Sequence, residues 1–363
     1  MAEAKPLRVL QIISSSATSG AEKHVLSLSR LLLNKGHEVE IICPGGGWLG
    51  EQCRTFGIKV HETDMKGAGW FRTTGLVMRR FREGGFDIAH THLTRATYFG
   101  AFAGALCGKP AVATVHIANR DQIYKRMARN RNRLVAVSNF VRGMLHGRGI
   151  PDRFIDTVYN GTDFTEFDTF DPELVRNEFG IPKGRKLVGL VGRVCREKGH
   201  LMMIEAMRDI LRDHPETHVM FVGRVEAHFA DEFQDAIDHA GIRDHLTLTG
   251  VRHDVPRLLD AFEFTTMPSH QETFGIAAIE AAARKRAVVA SRIGGLPEVV
   301  RHQQTGLLID LRPEELAGAV SYLMENEAER NQMGELGRVI VEQKFTLRHM
   351  AERLEGVYQR AVQ

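Results

Sequence analysis

Leu187-Val188-Gly189-Leu190-Val191-Gly192-Arg193-Val194-Cys195-Arg196-Glu197-Lys198-Gly199-His200 reads as a short apolar strand, a glycine turn bearing cations, and the entrance to a helix beginning near Leu201. Such strand–turn–helix units build parallel sheets, and ligands of those sheets sit beyond the carboxyl ends of the strands. Arg193 and Lys198 stand at that end. An Arg grips phosphate oxygens with a planar fork while a Lys supplies a mobile point charge, so the pair suits a diphosphate whose charge grows as its bond breaks. A surface loop with stray bases remains the other reading of this stretch alone.

The same alternation extends in both directions. Apolar runs at 219–222, 246–249, 264–267 and 288–290 continue this series, and the chain after Pro313 reads as helical to its end. An earlier series has runs at 9–13, 39–42, 58–60, 87–90, 111–115, 134–137 and 155–159, with a helix at 21–35 stopped by Gly36. A turn cluster, Asn160-Gly161-Thr162-Asp163, and the acidic, aromatic stretch up to Asp171-Pro172 separate the two series. The expected fold is α/β, two doubly wound Rossmann-like domains facing a cleft, with C-terminal helices. Boundaries are placed at 1–165, 166–345 and a last helix at 346–363. A length of 363 residues suits two domains of ordinary size.

A second stretch carries chemistry. In Ser269-His270-Gln271-Glu272-Thr273-Phe274-Gly275-Ile276-Ala277-Ala278-Ile279-Glu280-Ala281 a loop turns at Phe274-Gly275 into an alanine-rich, buried helix running to Arg284. Glu272 precedes that helix and Glu280 lies inside it, about 8 Å of helix from its N-terminus at roughly 1.5 Å per residue. Helix N-termini attract phosphate. A diphosphate there would place sugar hydroxyls near Glu272 and a ribose near Glu280. An N-terminal acid beside one satisfied core acid is the competing account.

The net charge of +3 hides an asymmetry. Residues 1–163 hold 23 Lys and Arg against 13 Asp and Glu, a net +10, which leaves −7 for the remainder. Arg120, Lys125, Arg126, Arg129, Arg131 and Arg133 cluster, and Arg72, Arg79, Arg80 and Arg82 follow Trp70-Phe71. Basic helices with aromatic neighbours rest on anionic lipid, whereas a solvated face explains them equally. Nucleic acid is disfavoured, because no nucleic-acid-binding motif accompanies the charge. Cys43, Cys53, Cys107 and Cys195 have no Cys-x-x-Cys spacing and read as packing residues of a reducing compartment. No run reaches the roughly 18 apolar residues of a membrane span, and residues 1–6 lack a signal-peptide core, so the expected location is cytoplasmic, peripheral on the inner membrane face if the basic domain docks there.

Taken together, Gly192-Arg193 with Lys198-Gly199, Glu272-Thr273-Phe274-Gly275 with Glu280-Ala281, and Gly294-Gly295-Leu296-Pro297-Glu298 resemble the family 4 retaining glycosyltransferases of the GT-B fold. Earlier segments agree: Ser19-Gly20-Ala21-Glu22, Asp87-Ile88-Ala89-His90-Thr91-His92, Thr114-Val115-His116, Val137-Ser138 and Asn160-Gly161-Thr162-Asp163. The resemblance covers most of the chain. It implies a nucleotide-sugar donor, UDP-linked by expectation, and a glycan or lipid-linked acceptor in cell-envelope or exopolysaccharide synthesis. Arg193 and Lys198 would bind the diphosphate, Glu280 the ribose, and Glu272 with the backbone of Thr273, Phe274, Gly275 and Ile276 the transferred sugar. His116 would contact that sugar from the other domain, and Gly20 would lie under the phosphates near the acceptor. His116, Arg193, Lys198 and Glu272 form the expected catalytic set, and the last helix is expected to pack back on the first domain. Transfer would retain configuration through a same-face displacement in which the departing phosphate helps deprotonate the acceptor.

No Asp-x-Asp sequence is present, so no metal or other cofactor is expected at the diphosphate. His90 and His92 share one strand face at metal-ligand spacing, without a third ligand nearby in sequence. The chain departs from the family in having one glycine in its first loop, Gly223-Arg224-Val225 after a strand that usually ends in glycine-x-glycine, and Arg284-Lys285-Arg286 where a glycine turn and proline are usual. Those extra bases are expected to reshape loops and to alter nucleotide preference. Gly45-Gly46-Gly47-Trp48 and Gly67-Ala68-Gly69-Trp70 are candidate acceptor contacts, although each Trp reads equally well as a core anchor. Rival functions are a nucleotide-sugar 2-epimerase of the same fold and a catalytically silent binding protein. A nicotinamide oxidoreductase is disfavoured, because no Gly-x-Gly-x-x-Gly follows the first strand.

Overall fold

The computed structural model describes residues 5–116, 121–163 and 170–363; Arg120 of the basic cluster lies outside them. By its contacts the chain divides into two compact units, Met1–Gly161 with Leu347–Gln363, and Thr162–Thr346.

In the first unit β1 (Arg8–Ile13), β2 (Glu38–Cys43), β3 (Lys59–Glu62), β4 (Ile88–His92), β5 (Ala111–Val115), β6 (Arg133–Ala136) and β7 (Ile155–Thr157) form one parallel sheet. Its order is β3-β2-β1-β4-β5-β6-β7. Near-continuous burial of β1, β4 and β5 is what helices on both faces of a parallel sheet produce. The order reverses between β1 and β4, where Ile13 is registered with His92. That reversal opens a crevice at the strands' carboxyl ends. Helix Gly20–Asn34 buries Val25, Leu28 and Leu32, and the chain leaves it through Gly36 at φ +85°, a conformation suited to glycine.

Helix Leu347–Val362 belongs to this unit although 185 residues of chain precede it outside the unit. Met350, Leu354, Val357 and Tyr358 join Val9, Leu28, Val39 and Val112 in one buried cluster. The Tyr358 hydroxyl also reaches His90 Nδ1 at 2.6 Å, and His90 Nε2 reaches Thr114 Oγ1 at 2.7 Å. These bonds satisfy polar groups that burial would otherwise penalise.

The second unit holds β8 (Lys186–Val191), β9 (Thr217–Val222), β10 (Leu246–Leu248), β11 (Phe264–Met267), β12 (Val288–Ser291) and β13 (Gly306–Ile309) in the order β10-β9-β8-β11-β12-β13. Strand β13 is absent from the sequence reading. Gly306-Leu307-Leu308-Ile309 is a four-residue run close behind other turn residues, too short to show a period. Its pairing with β12 makes it a strand: Gly306 lies opposite Val288, where a Cβ would sit 2.1 Å from the Val288 carbonyl oxygen. Only glycine permits that approach. Among the described residues no helix is long and apolar enough to cross a membrane.

Candidate active site

The strands of the second unit bring three loops together at one sheet end. Gly192 follows β8 at φ +153°, and Gly223 follows β9 at φ +155° with its Cβ direction 1.9 Å from the Gly192 carbonyl oxygen. Gly199, at φ +77°, opens helix His200–Asp213 with its Cβ direction 1.9 Å from the Pro268 carbonyl oxygen just beyond β11. No side chain fits at either contact. Gly223 therefore keeps a structural role although the second glycine of the usual pair is replaced.

On this backbone Lys198 Nζ donates to Glu272 Oε2 at 2.5 Å, with 24% and 13% of the two side chains exposed. Arg193 pairs with Glu226, four residues beyond the end of β9. The Glu272 carboxylate also accepts the Thr273 N–H at 3.1 Å through Oε1. The Glu272 carbonyl oxygen accepts the Gly295 N–H at 3.1 Å, and Gly294 at φ +56° lies so close that a Cβ would stand 1.8 Å from that oxygen. Gly275 at φ +104° then caps helix Ile276–Ala283, with Phe274 fully buried and edge-on to Phe345. Glu280 is half-buried on that helix. Thus Arg193, Lys198, Glu272, Thr273, Phe274, Gly275, Ile276 and Glu280 fall on the loops and helix after β8 and β11. Glu226 was missed, because nothing local distinguishes it from other surface acids.

Gly20 and His116 belong to the first unit. Gly20 begins helix Gly20–Asn34 behind Ser19, whose hydroxyl bonds the buried Glu22. His116 directly follows β5, beside His92 at the end of β4 and His24 on the helix. His92 Nδ1 and His116 Nε2 are 3.1 Å apart, His92 Nε2 meets Gln11 Oε1 at 2.7 Å, and His24 Nδ1 meets Asn160 Oδ1 at 3.0 Å. Burial lowers the pKa of His24 to about 4 and pushes His92 and His116 well below the usual histidine value. Burial thus favours the neutral form of all three imidazoles. Sequence reading missed His24, Gln11 and Asn160 as members of this group; the one local signal was a glutamine within the apolar strand β1.

A cavity of about 670 Å³ lies within the same unit, lined by Ser14, Trp70, Leu93, Tyr98, Asp121 and Tyr124 among others. Trp70 packs on Phe99 with centroids 4.3 Å apart and edge-on to Tyr98, so its ring is held in place while lining the cavity. The Tyr98 hydroxyl donates to Asp121 Oδ1 at 2.8 Å. Leu93, between His92 and the helix Thr94–Cys107, takes φ +69°, a costly conformation for a non-glycine residue. Trp48, by contrast, packs against the buried cluster of Leu49 and Cys53.

Several expected surface cations are structural. Arg80 turns inward to Glu40 at 2.7 Å, whereas Arg72, Arg79 and Arg82 stay exposed. Arg284 forms a charge pair with Asp260, each side chain 8% exposed, and Arg286 donates to the Asp260 carbonyl oxygen at 3.2 Å. Lys285 pairs at the surface with Glu335. Arg284 and Arg286 tie the end of helix Ile276–Ala283 to Asp260 while Lys285 faces solvent, so the expectation that these bases alter nucleotide preference has no support in their contacts. Cys43, Cys53 and Cys195 are buried, and burial raises the Cys43 and Cys53 thiols to about 12 and 11.

Residues 171–339 match the family described as Glycosyl transferases group 1, and residues 18–166 match Glycosyltransferase Family 4. An uncharacterized glycosyltransferase of Methanocaldococcus jannaschii is 24% identical, covering 95% of each chain. Among solved structures, a glycosyltransferase from Rickettsia africae superposes with a TM-score of 0.89 at 21% identity over 99% of each chain. Anabaena HepE in complex with UDP-glucose superposes with a TM-score of 0.87 at 20% identity, covering 96% of this chain and 98% of that one. The two parallel-sheet units, the three loops gathered at the carboxyl end of the second sheet, and these matches place the chain in the GT-B glycosyltransferases, group 1 with a family 4 amino-terminal half.

Proposed function

We propose that this glycosyltransferase is a retaining, metal-independent hexosyltransferase that moves a sugar from a UDP-sugar to a glycan or lipid-linked acceptor of the cell envelope or an exopolysaccharide. The observation that carries the reading is the Lys198–Glu272 ion pair, which joins the loop after β8 to the N-terminal approach of helix Ile276–Ala283. The two carboxylates facing Lys198 and Arg193 mark where anionic oxygens are stabilised. A diphosphate at these cations and the helix N-terminus would release Glu272 to bind hydroxyls of the transferred sugar, with Glu280 on the ribose. Charge growing on the leaving diphosphate is met by fixed cations and N–H groups, and the departing phosphate oxygen takes the acceptor proton on the same face. HepE, a neighbour in fold, was crystallised with UDP-glucose, which favours uridine for the donor.

Thermal-shift measurement across UDP-, GDP- and ADP-sugars, followed by NMR of the product's anomeric proton, tests this reading. Inversion of configuration, or sugar conversion without acceptor, sinks it.

For the acceptor, the cavity beside Trp70 offers an aromatic face and the Asp121 carboxylate, the groups that hold a pyranose ring and its hydroxyls. Trp70→Ala is expected to raise acceptor KM by about tenfold, the equivalent of ~1.4 kcal/mol, with donor affinity unchanged. A change confined to donor affinity contradicts this placement.

A membrane surface as partner draws on exposed Phe71, Phe102 and Leu106 of helices Gly69–Arg82 and Thr94–Cys107, together with Arg72, Arg79 and Arg82. Flotation with anionic vesicles is expected to carry wild-type protein and to lose Phe71→Asp; binding indifferent to salt or lipid charge counts against it.

A further inference from the structure

The carboxyl end of the first sheet gathers three histidines suited to a second chemistry, and one of them, His116, is also the residue expected at the donor sugar. His24, His92 and His116 each present one ring nitrogen to a common point, with all three nitrogens within 4.8 Å of one another. Their outer hydrogen bonds decide which nitrogens are available. Asn160 Oδ1 can only accept, so His24 carries its proton on Nδ1 and keeps a lone pair on Nε2. That Nε2 is buried without a hydrogen-bond partner. Gln11 Oε1 likewise accepts from His92 Nε2 at 2.7 Å and leaves the lone pair on Nδ1, the atom facing His116 Nε2.

A buried imidazole nitrogen left without a partner inside a cluster of three histidines is costly unless something binds there. Amide oxygens holding the far N–H of two rings are the second set of contacts that orient histidines in metal centres. We propose that His24, His92 and His116 form a binding site for one divalent transition-metal ion of the zinc type. Three neutral imidazoles suit zinc and its cobalt surrogate, and leave a fourth position for water or an anion. Ideal Zn–N bonds of about 2.0–2.1 Å place tetrahedral nitrogens roughly 3.4 Å apart. The 3.1 Å pair already has nearly this spacing, and the ligand nitrogens of all three rings lie within 4.8 Å of one another. His116 must move its proton from Nε2 to Nδ1, an exchange through solvent without net proton release.

The site explains why His90 and His92, though both on one strand face, have different partners. His90 is consumed by Tyr358 and Thr114, while His92 turns to the other two histidines. A bound ion would also hold His116 away from a donor sugar, making the cation an inhibitor of transfer. This consequence rests on the role proposed for His116; the site itself does not.

The experiment is a Co²⁺ titration of the full chain after chelator treatment. One equivalent is expected to produce the visible d–d absorption of four-coordinate cobalt, bleached by one equivalent of Zn²⁺. Gln11→Ala and Asn160→Ala, which keep all three ligands, are expected to weaken binding by about 10–100-fold. His24→Gln and His116→Gln, each with wild-type circular dichroism, are expected to abolish the band. No band in the wild type, or an unchanged band in both histidine variants, overturns the site. If the band behaves as expected while one equivalent of Zn²⁺ leaves turnover unchanged, the site stands and the inhibitory consequence falls.

Discussion

Lys198→Ala lowers kcat by about 10²–10³-fold with wild-type circular dichroism, the usual loss when one preorganised charge donor leaves a reacting anion. The side chain is held by Glu272 at 2.5 Å on a turn whose shape is imposed by Gly199. Its removal leaves the backbone contacts among the three loops in place and deletes one positive charge from the proposed diphosphate position. Glu272 is then left 13% exposed without its cation, so donor binding weakens as well. Lys198→Arg retains the charge but not its reach, and is expected to fall between the two. Steady-state turnover with a donor of the base selected by thermal shift provides the measurement. A loss below about tenfold would falsify the assignment of Lys198 to the leaving group.

Asp260→Ala destabilises the second unit by about 3–5 kcal/mol, the cost of stranding a buried charge. Its carboxylate meets the Arg284 guanidinium through Nε at 2.8 Å and through Nη2, and also accepts the Phe170 N–H at 3.1 Å. Arg286 beside it is desolvated, which already lowers its pKa. Deleting the acid removes the carboxylate paired with Arg284 and one of the two acids, with Glu263, that face Arg286. At 2–4 °C per kcal/mol this corresponds to a fall in Tm of roughly 6–20 °C by calorimetry. Lys285→Ala is the internal control: its surface pair with Glu335 is worth less than about 1 kcal/mol. Equal effects from the two variants would show that burial does not separate these ion pairs.

Much of the proposed donor site was readable in sequence because its parts are local. Gly192 through His200 and Glu272 through Glu280 each place cations or acids at a strand end within one continuous stretch, where period and turn chemistry act over a few residues. Strand β13 was not readable, since four residues show no period and its identity comes from pairing with β12. Glu226 was invisible for a similar reason: only the meeting of the loops after β8 and β9 makes it a partner of Arg193. The run Arg284-Lys285-Arg286 looked like one basic loop and separated into two inward side chains and one outward one.

Hydrophobic alternation, glycine at turns and the charges beside them thus establish two parallel-sheet units and the loops that carry the residues proposed to bind the donor. These signals are short-range, each written within a few consecutive residues. Pairing of charges and convergence of histidines depend on distances through space instead. Gln11, His24, His92, His116 and Asn160 come from five separate segments and meet because β1, β4 and β5 lie side by side and helix Gly20–Asn34 packs on the same sheet. Which histidine faces another histidine and which faces a tyrosine is settled by packing, where the Coulomb and hydrogen-bond terms that govern chemistry act over a few ångströms.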